Sequence, residues 1–412
     1  MNTIPLRHAA TVWVSSVDKL SSEEETPVQL CNYVDVYKND LVQPSPTSMR
    51  ATATADEIAR FHLEVGDTVL TKDSEDPSDI GISAYVTSTD PDFVCGYHLA
   101  IARPLPQTHP RYLTWATRSR PVRDHFANNS SGISRYGLSS SGLLSTPIPL
   151  WSYEEQRRIA DFLDDRVARI DEIIAARERQ ITLLADEAGA ALADRMLDGN
   201  DRVPLRRLVG DERMGLWGDE AGTADVDFAV VRVADFCRDE FRISPPTTLR
   251  SAPGSHVFSR TLRAGDVLLE RSGGTQRNPV GCPAFVSEVS DPTLCSNFVS
   301  RLRPAADSDG RYLSLVLGAL YATRQQEPHS TQTTGIQNLN IASYLKVTVP
   351  NLSLTQQVET AQRAEMSLSS TRSQQRLLRT GITLLQEYKQ SLITAAVTGE
   401  LDVTTASTKI PE

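Results

Sequence analysis

The sequence predicts an α+β protein with two globular β-rich domains separated by two long helices that pair as an antiparallel coiled coil. The first observation behind this prediction is an internal repeat with a period of about 200 residues. The second is that each repeat ends in a heptad pattern of apolar residues, which is typical of coiled-coil helices. The third is the length of 412 residues, which favours two domains of about 150 residues plus additional helical material.

The repeat is visible as short matches that follow one another in the same order. They are Pro5-Leu6-Arg7 with Pro204-Leu205-Arg206, Val65–Leu70 with Ala264–Leu269, Cys95 with Cys295, Arg103-Pro104 with Arg303-Pro304, Arg111–Leu113 with Arg311–Leu313, and Ile148-Pro149 with Val349-Pro350. The offset between partners drifts only from 199 to 201 positions along the chain. This small drift indicates two similar halves, related by a pseudo-two-fold axis if their helices pair antiparallel.

Each half consists of a β-rich stretch followed by one long helix. We predict domains at 1–150 and 200–350, long helices at 151–199 and 351–400, and a tail at 401–412. Short apolar runs bounded by turn-forming residues indicate the strands; they include Thr68–Leu70, Ala84–Thr87, Phe228–Val231 and Val267–Leu269. Apolar residues at helical spacing also predict short helices over Arg111–Asn128 and Arg311–Gln326.

The long helices have clear entry signals. Ser152 and Glu155 have the spacing of a capping box, and Ser353 and Gln356 repeat it in the second half. A helix from Tyr153 to about Leu197 would be roughly 66 Å long and would need a partner for its apolar stripe. The predicted contact positions are Leu163, Val167, Ile170, Ile174, Arg177, Ile181, Leu184, Ala188 and Ala191 in the first helix, and Ala364, Leu368, Thr371, Gln375, Leu378, Ile382, Leu385, Lys389 and Leu392 in the second.

Composition excludes several classes of protein and leaves others open. No apolar run approaches the roughly 20 residues that a membrane span requires. The five cysteines contain no C-x-x-C pair, and the N-terminus lacks a secretory signal pattern; both features favour the cytoplasm. The net charge of −10 opposes contact with nucleic acid. Residues 201–345, however, are nearly neutral, with 16 arginines against 17 carboxylates. A general preference for arginine over lysine explains this arginine content equally well.

Catalytic signatures are missing from the sequence. We find no phosphate-binding loop, no dinucleotide-binding fingerprint and no metal-ligand spacing among the seven histidines. The segment Ser244–Thr247 lacks both the amide and the aromatic residue of an amino-methyltransferase motif. We therefore predict no catalytic residue and no metal site.

Two pairs of polar, glycine-containing loops occupy equivalent places in the two halves. The first pair follows a predicted strand (Leu70–Ser78 and Leu269–Gly281), and the second precedes each long helix (Asn128–Leu138 and Thr331–Asn340). Their side chains are of the types that hydrogen-bond base edges and phosphates. The candidate DNA-binding residues are Lys72, Asp73, Ser74, Ser134, Arg135, Tyr136, Arg271, Ser272, Gly274, Thr275, Gln276, Arg277, Asn278, Gln337 and Asn338.

The helix entries also resemble a known family. Ile148–Asp164 and Arg169–Ile174 resemble the proline-led, E-E-Q-containing helix entry of type I restriction-modification specificity subunits, and Tyr388–Leu401 resembles the end of their second helix. Gly265–Gly273 and Gly66–Glu75 resemble patterns of their target-recognition domains. One departure is Thr355, where the family typically has glutamate, and this weakens any partner-contact role for Thr355.

The resemblance implies a non-catalytic DNA-recognition subunit. Each target-recognition domain would read one half of a bipartite, asymmetric DNA site, and the paired helices would set the spacing and dock two methyltransferase (modification) subunits. Restriction/translocase subunits would join, and S-adenosylmethionine, ATP and Mg would be bound by partner subunits and none by this chain. Two alternatives stay open, a coiled-coil scaffold for protein-binding domains and a specificity module of a related DNA-based defence system. The hypothesis that the chain is itself an enzyme would require methyl transfer by the purified chain alone.

Overall fold

The computed structural model describes residues 2–276, 278–290, 292–333 and 335–405. The chain divides into two compact units, one formed by Met1–Ala175 with Gly381–Glu412 and the other by Ala176–Thr380. Two helices of 45 residues each, Tyr153–Leu197 and Leu354–Thr398, are divided between the two units. We call them the first and second long helices.

Both long helices begin at the capping boxes that the sequence predicts. Ser152 Oγ accepts a hydrogen bond from the Glu155 amide at 3.3 Å, and the Glu155 carboxylate accepts one from the Ser152 amide at 3.0 Å. Ser353 and Gln356 form the same reciprocal pair, at 3.4 and 3.0 Å. These bonds satisfy amides that have no partner inside a helix.

The first unit contains four β-sheets in the part of the chain described. In order across each sheet, the strands are Ala10–Val14, Leu99–Pro104, Thr68–Thr71, Ser83–Val86 and Leu41–Val42; Met49–Ala53, Thr26–Cys31 and Phe93–Cys95; Ser130–Ser131, Tyr136–Leu138 and Asp73–Ser74; and Thr3–Pro5 with Pro147–Pro149. The short α-helices are Tyr33–Lys38, Ala55–Phe61, Pro110–Arg118, Arg120–Asn128 and Ser140–Leu144, and 3₁₀ turns cover Leu6–His8 and Pro77–Asp79.

The second unit repeats this plan with four sheets among its described residues. The strands, in sheet order, are Val209–Met214, Val299–Pro304, Val267–Glu270, Pro283–Phe285, Arg242–Ile243 and Phe236–Cys237; Asp219–Glu220, Thr248–Ala252, Val226–Val231 and Thr293–Cys295; Ser272–Gly273, Ile336–Leu339 and Ser330–Thr333; and Arg202–Pro204 with Thr348–Pro350. Its short α-helices are Gly254–Arg260, Gly310–Ala322 and Ile341–Tyr344, and 3₁₀ turns cover Leu205–Leu208, Val233–Asp235 and Glu327–His329.

The structure corrects the two predicted short helices. The segment Arg111–Asn128 forms two helices separated at Ser119, because Pro121 has no amide hydrogen with which to continue the first helix. The helix predicted to reach Gln326 ends at Ala322. There Arg324 adopts a left-handed conformation (φ 59°), and the Gln325 amide donates to the Leu320 carbonyl at 2.9 Å. This is a common way for a helix to end.

The long helices pack antiparallel within each unit. In the first unit, Leu163 and Ile170 from the early part of the first long helix share a core with Leu392 and Ile393 from the late part of the second. In the second unit, the late part of the first long helix meets the early part of the second, and the buried residues there include Leu192, Met196, Ala361, Ala364 and Leu368. Early segments therefore face late segments in both units, which confirms the predicted fold class.

The structure corrects one predicted contact position of the long helices and gives the role of another. Ala191 is exposed, and its neighbours Leu192 and Ala193 are buried instead, so the apolar contact runs one residue later than predicted at this end. The polar position Gln375 is buried, and its side-chain amide donates to the Ile181 carbonyl at 3.3 Å. The unit boundaries, at 175/176 and 380/381, fall inside the long helices; the predicted domain boundaries stay a prediction.

None of the helices in the described part of the chain combines the length and the apolar character that a bilayer span needs.

Candidate nucleic-acid interface

The structure pairs the predicted loops with one another inside each unit. In the first unit, Asp73–Ser74 forms an edge of a three-stranded sheet with the hairpin of Ser130–Ser131 and Tyr136–Leu138. In the second unit, Ser272–Gly273 joins the hairpin of Ser330–Thr333 and Ile336–Leu339. We call these the first and second loop sheets. Each therefore combines both kinds of polar loop that the sequence singles out.

Each loop sheet is attached to its unit through the same backbone hydrogen bonds. In the first unit the Lys72 amide donates to the His98 carbonyl at 3.0 Å, and the Leu138 amide donates to the Lys72 carbonyl at 2.8 Å. In the second unit the Arg271 amide donates to the Phe298 carbonyl at 2.9 Å, and the Leu339 amide donates to the Arg271 carbonyl at 2.8 Å. The backbone frame is thus the same, while the side chains on it differ.

The charged side chains of the first loop sheet bind one another. Asp73 Oδ2 lies 3.1 Å from Lys72 Nζ and 2.8 Å from His98 Nδ1. Lys72 Nζ also lies 4.7 Å from the centre of the Tyr97 ring, a cation–π distance. Arg135 Nη2 approaches His98 Nε2 at 3.4 Å. The negative charge of Asp73 is therefore paired with the ammonium group of Lys72.

A cavity of about 590 Å³ adjoins the first loop sheet. Its lining is Tyr33, Tyr37, Asp73, Ser74, Glu75, Asp76, Asp79, Ser134 and Arg135. Tyr37 donates a hydrogen bond to Asp79, which raises the pKa of the Tyr37 hydroxyl. The Ser78 amide donates to Asp76 at 2.8 Å and lowers the pKa of the Asp76 carboxyl. The cavity thus offers carboxylate acceptors beside a single guanidinium.

The structure brings the predicted residues of the first half close together. Asp73, Ser74, Ser134 and Arg135 line the same cavity, and Tyr136 pairs with Ser74 across the sheet. Ser134 and Arg135 are exposed, whereas Ser74 is buried. Ser74 Oγ accepts a hydrogen bond from the Asp76 amide at 3.2 Å, so this hydroxyl shapes the loop.

Amide and hydroxyl groups dominate the second loop sheet. Ser272 Oγ donates to Asn338 Oδ1 at 2.8 Å, and Gln337 Oε1 accepts from the Val280 amide at 3.0 Å. The predicted residues Thr275, Gln276 and Asn278 are exposed. Arg277 lies outside the described residues.

The predicted residue Gly274 shapes the backbone of this loop. Its φ is +70°, and a Cβ atom placed there would lie 2.6 Å from the Val280 nitrogen. The Thr275 amide donates to the Asn278 carbonyl at 2.8 Å, and the Asn278 amide donates to Thr275 Oγ1 at 3.0 Å. These bonds hold Thr275 and Asn278 close together, beside the exposed Gln276.

Apolar residues at the hairpin ends were missed by the sequence analysis. Ile133 is 98% exposed in the first hairpin and Ile336 is 50% exposed in the second. Each follows a glycine, Gly132 or Gly335. The signal in the sequence was the Gly-Ile pair that both loops contain. Isoleucine is usually buried, and its exposure at both hairpins indicates a contact surface.

Exposed aromatic residues beside the loop sheets were also missed. Tyr97 is 48% exposed, and it precedes His98, whose carbonyl anchors the first loop sheet. Phe298 is 50% exposed, and its own carbonyl anchors the second loop sheet. The aromatic residues lie two positions after Cys95 and three positions after the matching Cys295, and this could have indicated the position. Among the described residues, no group of three or more His, Cys, Asp or Glu is arranged to hold a metal ion.

Comparison with known proteins gives one curated relative and several similar folds. The chain is 25% identical over 359 residues to the type I restriction enzyme StySPI specificity subunit of Salmonella potsdam, which covers 81% of this chain and 74% of the relative. No protein-family model matches the chain.

Among solved structures, the chain matches one from a study of complex assembly and conformational transition of the type I R-M system. The TM-score is 0.65 at 16% identity, and the match covers 97% of this chain and 98% of the other. The HsdS subunit of Thermoanaerobacter tengcongensis matches with a TM-score of 0.44 at 18% identity, over 97% of each chain. The chain is thus similar in sequence to a type I restriction enzyme specificity subunit over most of its length, and similar in fold to a chain of a type I R-M system over nearly all of it, which confirms the resemblance seen in the sequence.

Proposed function

We propose that this chain specifies the DNA sequence acted on by a type I restriction-modification complex and does no chemistry itself. Each unit reads one half of a bipartite, asymmetric DNA site, and the long helices set the spacing between the halves. The observation that carries the proposal is the pair of loop sheets, which share one backbone frame and present different side chains. Two units with the same backbone arrangement and different side chains recognise two different short DNA sequences.

The first loop sheet suits bases that carry amino groups. The carboxylates of Asp73 and Asp79 can accept hydrogen bonds from cytosine N4, and the guanidinium of Arg135 can donate to a guanine edge. Lys72 Nζ lies 3.1 Å from Asp73 Oδ2, and this ammonium group reduces the repulsion between the carboxylate and DNA phosphates. This arrangement permits acidic side chains at a DNA-facing surface of an acidic protein.

The second loop sheet suits adenine and guanine edges. Gln276 and Asn278 are exposed and carry the amide groups that pair bidentately with adenine, and Arg271 can donate to guanine or phosphate. Asn338 is also exposed, and Ser272 orients its side chain through their hydrogen bond. Ile133 and Ile336 offer apolar contact to a thymine methyl group or to an unstacked base step.

The negative charge of the chain supports the proposal that partner subunits supply most of the contacts to the DNA backbone. A net charge of −10 disfavours tight binding to a polyanion. We propose that two methyltransferase subunits dock on the long helices, bind the DNA backbone and bind S-adenosylmethionine. Restriction/translocase subunits bind ATP and Mg. Large apolar residues exposed on the long helices support such docking, with Leu183 at 61%, Met366 at 67% and Leu377 at 73% exposure.

A binding experiment tests this proposal. The purified full chain, alone and in complex with a type I methyltransferase subunit from the same organism, is incubated with fragmented genomic DNA at physiological salt, and bound fragments are footprinted. We expect weak binding by the chain alone, and two short protected blocks separated by an unspecific gap for the complex. Tight sequence-specific binding by the chain alone, or a complex without two blocks, would contradict the proposal.

A further inference from the structure

The strand that leads into the second loop sheet ends in a buried ion pair. Glu270, the last residue of Val267–Glu270, is fully buried, and its Oε2 lies 2.8 Å from Arg238 Nη2. In the first unit the matching position is Thr71, whose Oγ1 accepts a hydrogen bond from the Ile82 amide at 3.0 Å. The two loop sheets are therefore supported by different chemistry directly beneath the same backbone frame.

Arg238 connects both ends of the loop that runs from Arg271 to Pro279. At one end it binds Glu270, whose Oε1 would lie 3.2 Å from a Cβ atom added at Gly273. At the other end Arg238 Nη1 donates to the Tyr321 hydroxyl at 3.3 Å, and that hydroxyl donates to the Pro279 carbonyl at 3.2 Å. One guanidinium thus restrains the start and the end of the loop.

The turn that carries Arg238 is itself bound to the second long helix. Arg372 Nη2 donates to the Glu240 carbonyl at 3.0 Å, and Arg379 Nη2 lies 2.6 Å from Asp239 Oδ2. The contacts form a continuous connection inside the second unit, from the helix through the turn at 238–240 to the loop. Such a connection fixes the orientation of the loop relative to the helix.

Stability alone does not account for this ion pair. Burial raises the pKa of the Glu270 carboxyl in spite of Arg238, so desolvation outweighs the attraction between the two charges. Buried ion pairs commonly contribute little net stability, and in some proteins they enforce a particular arrangement.

We propose that Arg238 and Glu270 are positioning residues that hold the 271–279 loop in one orientation relative to the second long helix, and so set how strictly the second block of the DNA site is read. This inference rests on the proposed function. The expected consequence is selective, because the first unit supports its loop through separate contacts of its own. There Thr71 takes the place of Glu270, the turn contacts the loop through Tyr37 and Asp79, and it contacts the second long helix through Asp40 and Lys389.

The test measures each block of the site separately. The full chain in complex with its methyltransferase subunit selects fragments from a DNA library in which both blocks are randomised, and the selected fragments are sequenced. We expect Glu270→Gln to lower discrimination at the second block about tenfold, the scale of one lost hydrogen bond to a charged group, and to leave the first block unchanged. Tyr321→Phe should act in the same direction with a smaller effect, and Arg238→Lys should retain part of the discrimination because the charge remains.

Two controls separate positioning from folding. Glu288→Gln, at an exposed position of the same unit, should change neither block. Glu270→Gln leaves Arg238 without its charged partner and should lower the free energy of unfolding, but an unchanged first block will show that the variant folds and assembles. Unchanged discrimination at the second block, or equal losses at both blocks, would overturn the inference. A wild-type complex that selects no two-block motif would instead refute the proposed function.

Discussion

The two loop sheets share the same backbone hydrogen bonds, but different side-chain contacts hold them in place. In the first, Asp73 is held by Lys72 and His98 on the surface of the sheet itself. In the second, surface amides and hydroxyls lie above a buried pair, Arg238 and Glu270. Shared backbone hydrogen bonds therefore maintain the frame, and the side chains are left to vary. This is the property that a duplicated reader needs, since changing what one half recognises need not alter how it folds.

The largest expected effect comes from Gly274, whose counterpart in the first unit, at the offset of 199 residues, is Glu75. We expect Gly274→Ala to abolish discrimination at the second block, because a side chain at this φ costs on the order of 1–3 kcal/mol and the added Cβ would collide with the Val280 nitrogen. Library selection by the complex measures the loss. Gly265→Ala is the matched control, because Gly265 has φ +92° and open space around its Cβ position; equal effects of the two variants would contradict this account.

A smaller effect, confined to the first block, is expected for Asp73→Asn. The substitution replaces the carboxylate that orders Lys72 and His98 by a neutral amide, and we expect a loss of about 1–3 kcal/mol in discrimination, the cost of a mismatched base pair. The same selection assay compares this variant with Asp56→Asn, an exposed carboxylate of the same unit. A change at the second block would show that the two readers are not independent.

The exposed isoleucines Ile133 and Ile336 allow the same test in both loop sheets. We expect Ile133→Ser and Ile336→Ser each to weaken binding of the complex to its site by about 1 kcal/mol, the scale of a buried methyl contact, and each to affect only its own block. Stability of the free chain should not change for Ile133→Ser, because that side chain is 98% exposed. Leu20→Ser, at 69% exposure in the same unit, is the control; an equal loss there would argue for a nonspecific effect of apolar surface.

The smallest effect concerns the helix entries, where the two halves should behave alike. Ser152→Ala and Ser353→Ala each remove a capping hydroxyl and should lower the free energy of unfolding by about 0.5–1 kcal/mol. Denaturant titration of the full chain measures both. A large difference between the two variants would show that the repeated caps do not have equivalent roles.

Local signals in the sequence were sufficient to predict the long helices. The capping boxes at Ser152 and Ser353 and the apolar spacing determine where each helix begins and which face it buries. Two errors arose. Pro121, a strong helix breaker that the sequence shows, interrupts the segment predicted as one helix, and Leu192 is buried in the core where the small residue Ala191 was expected. Helix boundaries and contact positions are therefore predictable to within a few residues.

The loop sheets show what the sequence did not reveal. Their strands have only two to four residues, too few for an alternating pattern, and Ser74 pairs with Tyr136 far away in the chain. The pairing of the two loop types therefore could not be predicted, although both loops could be recognised as unusual. The Arg238–Glu270 contact was hidden for the same reason, since it depends on how distant segments meet.

The central claim is that each unit independently reads one block of a two-block site. The most direct measurement exchanges residues 201–345 for the corresponding segment of another relative, expresses the chimera with its partner subunits, and determines the methylated motif by methylation-aware genome sequencing. The account predicts that one block of the motif changes while the other block stays the same. A change in both blocks, or in neither, would contradict it.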